Sequence, residues 1–112
     1  KKNELLMEGN SITEGIGSSR ITANFAKAPI DDAFSIEDKE AIPIIYKLIK
    51  DEGLSLGTSS GINIAGAIKL GKEIGPGKTI VTILCDLSDR YKSKLFNKKF
   101  LEEKKIPIPD WL

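Results

Sequence analysis

The stretch that decides the fold runs from Leu54 to Gly71 and reads LSLGTSSGINIAGAIKLG. A short apolar segment stops at Gly57, three hydroxyl residues follow, and a second glycine opens a run rich in isoleucine and alanine. A strand, a polar turn and a helix in this order are typical of α/β proteins. We therefore predict a short strand over 54–56 and a helix over 60–74.

Two further segments extend this pattern into a layered fold. The run TIVTILC over 79–85 is continuously apolar and rich in β-branched residues, which is typical of a strand covered on both faces. A third short strand is predicted over 33–36. The fold class predicted from this alternation is α/β, with a partial parallel sheet and flanking helices.

The helix over 60–74 has little polar surface, so we expect it to be buried on more than one side. Its internal glycines, Gly66 and Gly71, lower helix stability, and we expect them to permit close approach of another element. A second helix is predicted over 38–51, where apolar residues recur on one stripe, and we expect it to end at Gly53. A last short helix is predicted around 97–104.

Composition limits the possible functions. The chain has 112 residues, which suggests one domain, and its net charge of +1 favours neither a nucleic acid nor a membrane partner. It has one cysteine and no histidine, which excludes an internal disulfide, a zinc site of nitrogen and sulfur ligands, and a histidine general base within this chain. No metal site is predicted. With no apolar run long enough for a membrane span, we expect a cytoplasmic protein.

The hydroxyl turn over 58–60 allows two interpretations from its residues alone. Serine and threonine cap helix starts by accepting backbone N–H bonds, but the carboxyl end of a strand is also where open α/β sheets bind ligands. Asp86 follows the strand over 79–85 and suits either a site or a turn cap. Cys85 is expected to be buried and structural, and Arg90 and Tyr91 could serve only as anchors for the tail.

Four blocks give the sequence a more specific likeness. SITEGIGSSRITANF, LSLGTSSGINIAGAIKL, GKTIVTILCD and RYKSKLFN occur in this order from about Glu8 to Phe96. Together they resemble the cysteine synthases, or O-acetylserine sulfhydrylases. The resemblance implies the tryptophan-synthase-β-like fold and the cofactor pyridoxal 5'-phosphate.

The resemblance also implies roles for individual residues. Ser59 matches the serine whose hydroxyl meets the pyridine nitrogen of the cofactor in that family, and the glycine loop around Ile16 matches a segment that passes close beside the ring. The residues that the resemblance assigns to the cofactor site are Gly15, Ile16, Gly17, Gly57, Ser59 and Asp86.

Three parts of the family site have no counterpart in this sequence: the lysine that forms the Schiff base, the asparagine loop for the substrate carboxylate and the phosphate cradle. We therefore expect residues 1–112 to be the carboxyl-terminal part of the cofactor-binding large domain, with no catalytic residue of its own and no activity alone. The implied parent reaction converts O-acetylserine and sulfide to cysteine, in a homodimer. Ser88 and Pro43 depart from the family pattern.

Other functions remain open at this point. A sister pyridoxal-phosphate enzyme, such as cystathionine β-synthase or a threonine or serine dehydratase, shares much of the same pattern. A non-catalytic α/β module could instead bind an anion or a protein at the helix start near Gly57. A third possibility is a scaffold without activity, whose apolar helix would promote assembly.

Overall fold

The computed structural model describes residues 11–13, 16 and 20–112. The helices in chain order are α1 (Ala23–Lys27), α2 (Asp38–Glu52), α3 (Thr58–Ile74), α4 (Lys92–Leu95) and α5 (Lys98–Glu103). A 3-10 turn over Ser88–Tyr91 directly precedes α4. No helix in this part of the chain combines the length and the apolar character that crossing a membrane requires.

The helix predicted over 38–51 is confirmed as α2, and its ends follow from local chemistry. The Glu40 carboxylate accepts a hydrogen bond from the Glu37 backbone N–H at 2.9 Å, as in a capping box. The helix continues through Pro43 rather than ending there. Gly53 closes it in the left-handed conformation with φ 63°, as the sequence predicts.

The helix predicted over 60–74 is confirmed as α3, which begins two residues earlier, and it packs against α2. The crossing is close at Gly61, where an added Cβ would lie 2.7 Å from the Ala41 carbonyl oxygen. The expectation for Gly66 is wrong, because no described atom lies within 4 Å of the position its Cβ would take. At Gly71 the nearest atom would be the Ile80 Cδ1 at 3.4 Å, an ordinary contact.

The core lies between α2 and the carboxyl-terminal helices. The Tyr46 hydroxyl donates to the Leu95 carbonyl oxygen at 2.6 Å, which ties α2 to α4. The helix predicted around 97–104 is confirmed as α5, and the Asn97 side chain caps it by accepting from the Phe100 N–H. The buried apolar cluster consists of Ile12, Ile42, Ile45, Tyr46, Leu56, Tyr91, Leu95, Leu101 and Ile106.

The partial parallel sheet is not formed among the described residues. Their β structure is one isolated antiparallel bridge, between Leu56 and Leu87. The segments 33–36 and 79–85 have no regular secondary structure. A strand needs a neighbour to pair its backbone N–H and C=O groups, and no described segment lies beside 79–85 in that way.

Apolar side chains of the predicted strand over 79–85 and of α3 are accordingly exposed to solvent. Val81 and Ile83 are 85% and 66% exposed, and Ile68 of α3 is 45% exposed. The expectation that α3 is buried on more than one side is therefore wrong for the described chain. The segment 79–85 lies along α3, where the Asn63 side-chain amide donates to the Ile83 carbonyl oxygen at 2.9 Å.

Candidate functional site

A cleft of about 410 Å³ opens at the amino-terminal end of α3. Three of the six residues that the sequence assigns to a cofactor site line it, namely Ile16, Ser59 and Asp86. Gly15 and Gly17 lie outside the described residues. The full lining consists of Ile16, Ser59, Asn63, Cys85, Asp86, Arg90 and Tyr91.

Backbone hydrogen bonds join the turn before α3 to the segment that contains Asp86. The Gly57 N–H donates to the Asp86 carbonyl oxygen at 2.9 Å, and the Ser88 N–H donates to the Ser55 carbonyl oxygen at 3.1 Å. The hydroxyls of the same two serines share a short hydrogen bond. These contacts place Ser59 and Asp86 at one cleft although 26 positions separate them in the chain.

Gly57 is required at this junction because no side chain fits there. A Cβ at this position would overlap the Asp86 Oδ1 and would lie 2.8 Å from the Cε2 of the Tyr91 ring. Gly57 does not line the cleft itself. It permits the close approach of Asp86 that forms one of the cleft walls.

The interpretation that a hydroxyl side chain of the turn over 58–60 caps α3 is wrong. Gly57 is the N-cap of α3, and no side chain caps the helix. The fully buried Ser60 hydroxyl instead accepts a hydrogen bond from the Cys85 N–H at 3.0 Å. Ser60 therefore ties α3 to the segment 79–85.

Asp86 carries the main negative charge of the cleft. Its Oδ2 accepts a hydrogen bond from the Tyr91 hydroxyl at 3.0 Å and lies 3.6 Å from the Arg90 guanidinium. Its Oδ1 is buried and has no hydrogen-bond partner in the described part of the chain. Burial, followed by the hydrogen bond to this carboxylate, raises the pKa of Tyr91, so the phenol stays protonated as a donor.

Ser59 is half-buried and faces the cleft. No residue in the described ranges forms a hydrogen bond with its hydroxyl, in contrast to Ser60 beside it. The hydroxyl therefore faces a cavity that Ile16 also lines.

Four lining residues were not predicted as site residues, namely Asn63, Cys85, Arg90 and Tyr91. Asn63 follows Ser59 by one helical turn, and this spacing was the signal available in the sequence. Arg90 and Tyr91 were considered only as anchors, and their position in the cleft depends on the 3-10 turn. The expectation that Cys85 is buried is wrong, since it is exposed at the cleft with Sγ 3.5 Å from the Asn63 amide nitrogen.

Comparison with known proteins assigns this chain to a family. The sequence model for pyridoxal-phosphate dependent enzymes matches residues 2–86. The chain belongs to the pyridoxal-phosphate dependent enzyme family. The expectation of pyridoxal 5'-phosphate as cofactor is thereby confirmed at the level of this family. The family also implies the tryptophan-synthase-β-like fold, although the predicted sheet is not formed among the described residues.

Individual relatives confirm the resemblance to cysteine synthases. A cysteine synthase of Dictyostelium discoideum is 41% identical over an alignment that covers 97% of this chain and 30% of that protein. Cysteine synthase 1 of Neurospora crassa is 42% identical over 93% of this chain and 29% of its own length. An O-acetylserine dependent cystathionine beta-synthase of Bacillus subtilis is 37% identical over 73% of this chain and 27% of its own length. This family member thus spans about 30% of the length of the relatives it matches most extensively.

Proposed function

We propose that residues 1–112 are the carboxyl-terminal part of the cofactor-binding large domain of a cysteine synthase. The full-length protein would replace the acetate of O-acetylserine by sulfide to give cysteine. The observation that carries this proposal is the position of Ser59, which lines an open cleft with Ile16 and Asp86 in a chain of this family.

The residues of the cleft suit the ring edge of pyridoxal phosphate. In this proposal the Ser59 hydroxyl would donate to the pyridine nitrogen, and Ile16 would offer an apolar contact to the ring. When bound, the cofactor supplies an electron sink for the reacting carbon, and the protein tunes its strength. A neutral hydroxyl does not hold the ring nitrogen protonated as a carboxylate does, which favours β-replacement over transamination.

The helix start itself is not suited to the cofactor phosphate. Helix amino termini attract anions, but the Asp86 carboxylate already lies against Gly57 at this end of α3. A second negative group there would be repelled. We therefore assign the phosphate to residues outside this chain, and the same argument weakens the alternative of an anion-binding module.

Other parts of the proposal concern the full-length protein. The segment 79–85 would form a strand of a parallel sheet there, with Val81 and Ile83 covered by neighbours. Gly15 and Gly17 would pass beside the ring, and the Schiff-base lysine would come from outside residues 1–112. This chain then contributes binding residues and no catalytic residue to a cytoplasmic homodimer.

Product analysis with the full-length protein tests the proposal. We expect cysteine from O-acetylserine and sulfide, at a higher rate than cystathionine from O-acetylserine and homocysteine. The reverse preference would assign the protein to the activity named for the Bacillus subtilis relative. A keto acid from serine or threonine would indicate a dehydratase, and no product with no cofactor absorbance would indicate a binding module.

The Ser59→Ala variant tests the proposed ring contact. It is expected to shift the cofactor absorbance or emission and to lower turnover at least about tenfold, because a donor to the ring is lost. Ser93→Ala is the matched control, since Ser93 is an exposed serine of α4 outside the cleft. Equal spectra and turnover for the two variants would refute the contact.

A further inference from the structure

We propose that Tyr91 is a positioning residue of the cofactor site, because its phenol holds the Asp86 carboxylate and Asp86 fixes the turn that presents Ser59. The inference rests on the proposed role of Ser59. It adds a residue that was not assigned to the site from the sequence. Tyr91 acts on the cofactor site through Asp86 and does not contact the cofactor itself.

A short series of contacts connects Tyr91 to the turn. Tyr91 is 3% exposed, and its hydroxyl donates to the Asp86 Oδ2 at 3.0 Å. The carbonyl oxygen of Asp86 accepts the Gly57 N–H at 2.9 Å. Gly57 is the N-cap of α3 and precedes Ser59 by two residues. A displacement of Asp86 therefore acts directly on the backbone that orients Ser59.

The Tyr91 ring and its hydroxyl have separable functions. The ring packs against Gly57, where an added Cβ would lie 2.8 Å from Cε2. The Tyr91→Phe variant keeps this packing and removes the hydroxyl, with its hydrogen bond to Asp86 and its interaction with the Thr58 side chain. The substitution therefore tests the hold of the Tyr91 hydroxyl on the Asp86 carboxylate without opening a cavity.

Arg90 cannot replace the lost donor. Its guanidinium lies 3.6 Å from the Asp86 Oδ2, and its side chain is 70% exposed. Ion pairs exposed to this extent contribute little, because solvent and salt screen them. The buried phenol is thus the principal donor that keeps the carboxylate in place.

Removal of the hydroxyl changes both geometry and charge in the cleft. The Asp86 Oδ1 already has no described partner, so the variant would leave the carboxylate with only the exposed Arg90. A carboxylate without buried donors moves toward water, and the open side here is the cleft. This movement would displace the Gly57 N-cap, and Ser59 with it.

The experiment compares variants of the full-length protein loaded with pyridoxal phosphate. We expect Tyr91→Phe to weaken cofactor affinity by about tenfold, the usual effect of one hydrogen bond to a charged group, and to shift cofactor absorbance or emission. Tyr46→Phe is the matched control: Tyr46 is also 3% exposed and also loses one buried hydrogen bond, to the Leu95 carbonyl oxygen. It does not line the cleft, so it is expected to leave affinity and spectrum unchanged.

The Ser59→Ala background separates this inference from the proposed function. If Tyr91 acts through Ser59, Tyr91→Phe has less effect on affinity in that background than in the wild type. Equal effects in both backgrounds would overturn the positioning role while leaving the Ser59 contact standing. A Ser59→Ala variant with unchanged spectrum would instead overturn the contact, and the positioning role with it.

A purely structural role makes a different prediction. In that case Tyr91→Phe and Tyr46→Phe would lower the melting temperature alike and leave the cofactor spectrum unaltered, which overturns the proposal. If Tyr91→Phe does not fold, Asp86→Leu removes the acceptor of the Tyr91 hydroxyl while retaining a branched side chain of similar shape. It is expected to change the cofactor spectrum in the same background-dependent way, and an unchanged spectrum counts against the proposal.

Discussion

The Ser60 hydroxyl accepts a hydrogen bond from the Cys85 backbone N–H at 3.0 Å, and Ser60 is fully buried. This contact fixes the first turn of α3 to the end of the segment 79–85. Ser59, one residue earlier, faces the cleft instead and forms no hydrogen bond with the described residues. The two adjacent serines thus differ: Ser60 joins two segments of the fold, and Ser59 is the proposed contact with the ligand.

This difference predicts that alanine substitution destabilises the protein at Ser60 but hardly at Ser59. Ser60→Ala leaves the Cys85 N–H without its acceptor and is expected to lower the free energy of unfolding by about 1–3 kcal/mol. Ser59→Ala is expected to change the stability of the cofactor-free full-length protein by less than about 0.5 kcal/mol. Denaturant titration of the two cofactor-free variants measures both values. Equal losses would contradict the assignment of Ser60 as the structural member.

Two glycines of α3 are expected to respond oppositely to alanine. Gly61→Ala places a Cβ 2.7 Å from the Ala41 carbonyl oxygen, so α2 and α3 must separate and stability falls by about 1–3 kcal/mol. Gly66→Ala meets no described atom within 4 Å and is expected to stabilise the helix by up to about 1 kcal/mol.

Thermal or denaturant unfolding of the two glycine variants provides the measurement. A strong loss for Gly66→Ala would show that a segment beyond the described residues packs on this face of α3. A neutral Gly61→Ala would contradict the close helix crossing.

Tyr46 predicts a loss of stability at alkaline pH. Burial raises the pKa of Tyr46 from 10.0 to about 12. Because the unfolded chain releases this proton first, the stabilisation is complete below pH 10 and is lost between pH 10 and about 12. Its size is on the order of 2 kcal/mol. Tyr46→Phe removes this dependence and lowers stability at neutral pH, since the bond to the Leu95 carbonyl oxygen is lost.

The quantity that tests this alkaline transition is the slope of the free energy of unfolding against pH, not its absolute value. Free energies of unfolding measured from pH 9 to 12 decline more steeply for the wild type than for Tyr46→Phe. Parallel curves would show that Tyr46 does not titrate in this window.

The lowered pKa of Glu40 predicts that stability depends on pH in the acidic range. Its hydrogen bond from the Glu37 N–H, followed by its interaction with Lys69, lowers the pKa of Glu40 from 4.5. The stabilisation is therefore present above pH 4.5 and is lost as pH falls through the lowered value. Glu40→Gln is expected to flatten the acid limb of the stability curve. Glu52→Gln, an exposed position at the other end of α2, is the control and is expected to retain that limb.

Local signals account for the helices that the sequence predicts correctly. The apolar stripe from Ile42 to Ile49 and the closing Gly53 specify α2, and Asn97 specifies the start of α5. Each of these signals acts within a few residues, so the chain around it contains the full cause. The resemblance added Ser59 and Asp86, which the structure then places at one cleft.

The same local reasoning failed where the cause lies far along the chain. The run over 79–85 has the composition of a strand, but a strand forms only when another segment pairs with its backbone, and no described segment does so. Cys85 was expected to be buried for its apolar context, and only the path of the chain past α3 leaves it at the cleft. The clustering of Asn63 and Tyr91 with Ser59 likewise depends on packing.

The sequence by itself therefore determined α2, α5, most of α3 and the family to which the chain belongs, because these follow from short-range patterns of side chains. The resemblance pointed to Ser59 as the ligand contact, but only the tertiary structure decided that Ser60 is buried against the Cys85 backbone and does not cap the helix. The physical reason is that adjacent serines have the same local chemistry. The partner of Ser60, the Cys85 N–H, lies 25 residues further along the chain, so the difference between the two serines comes from packing.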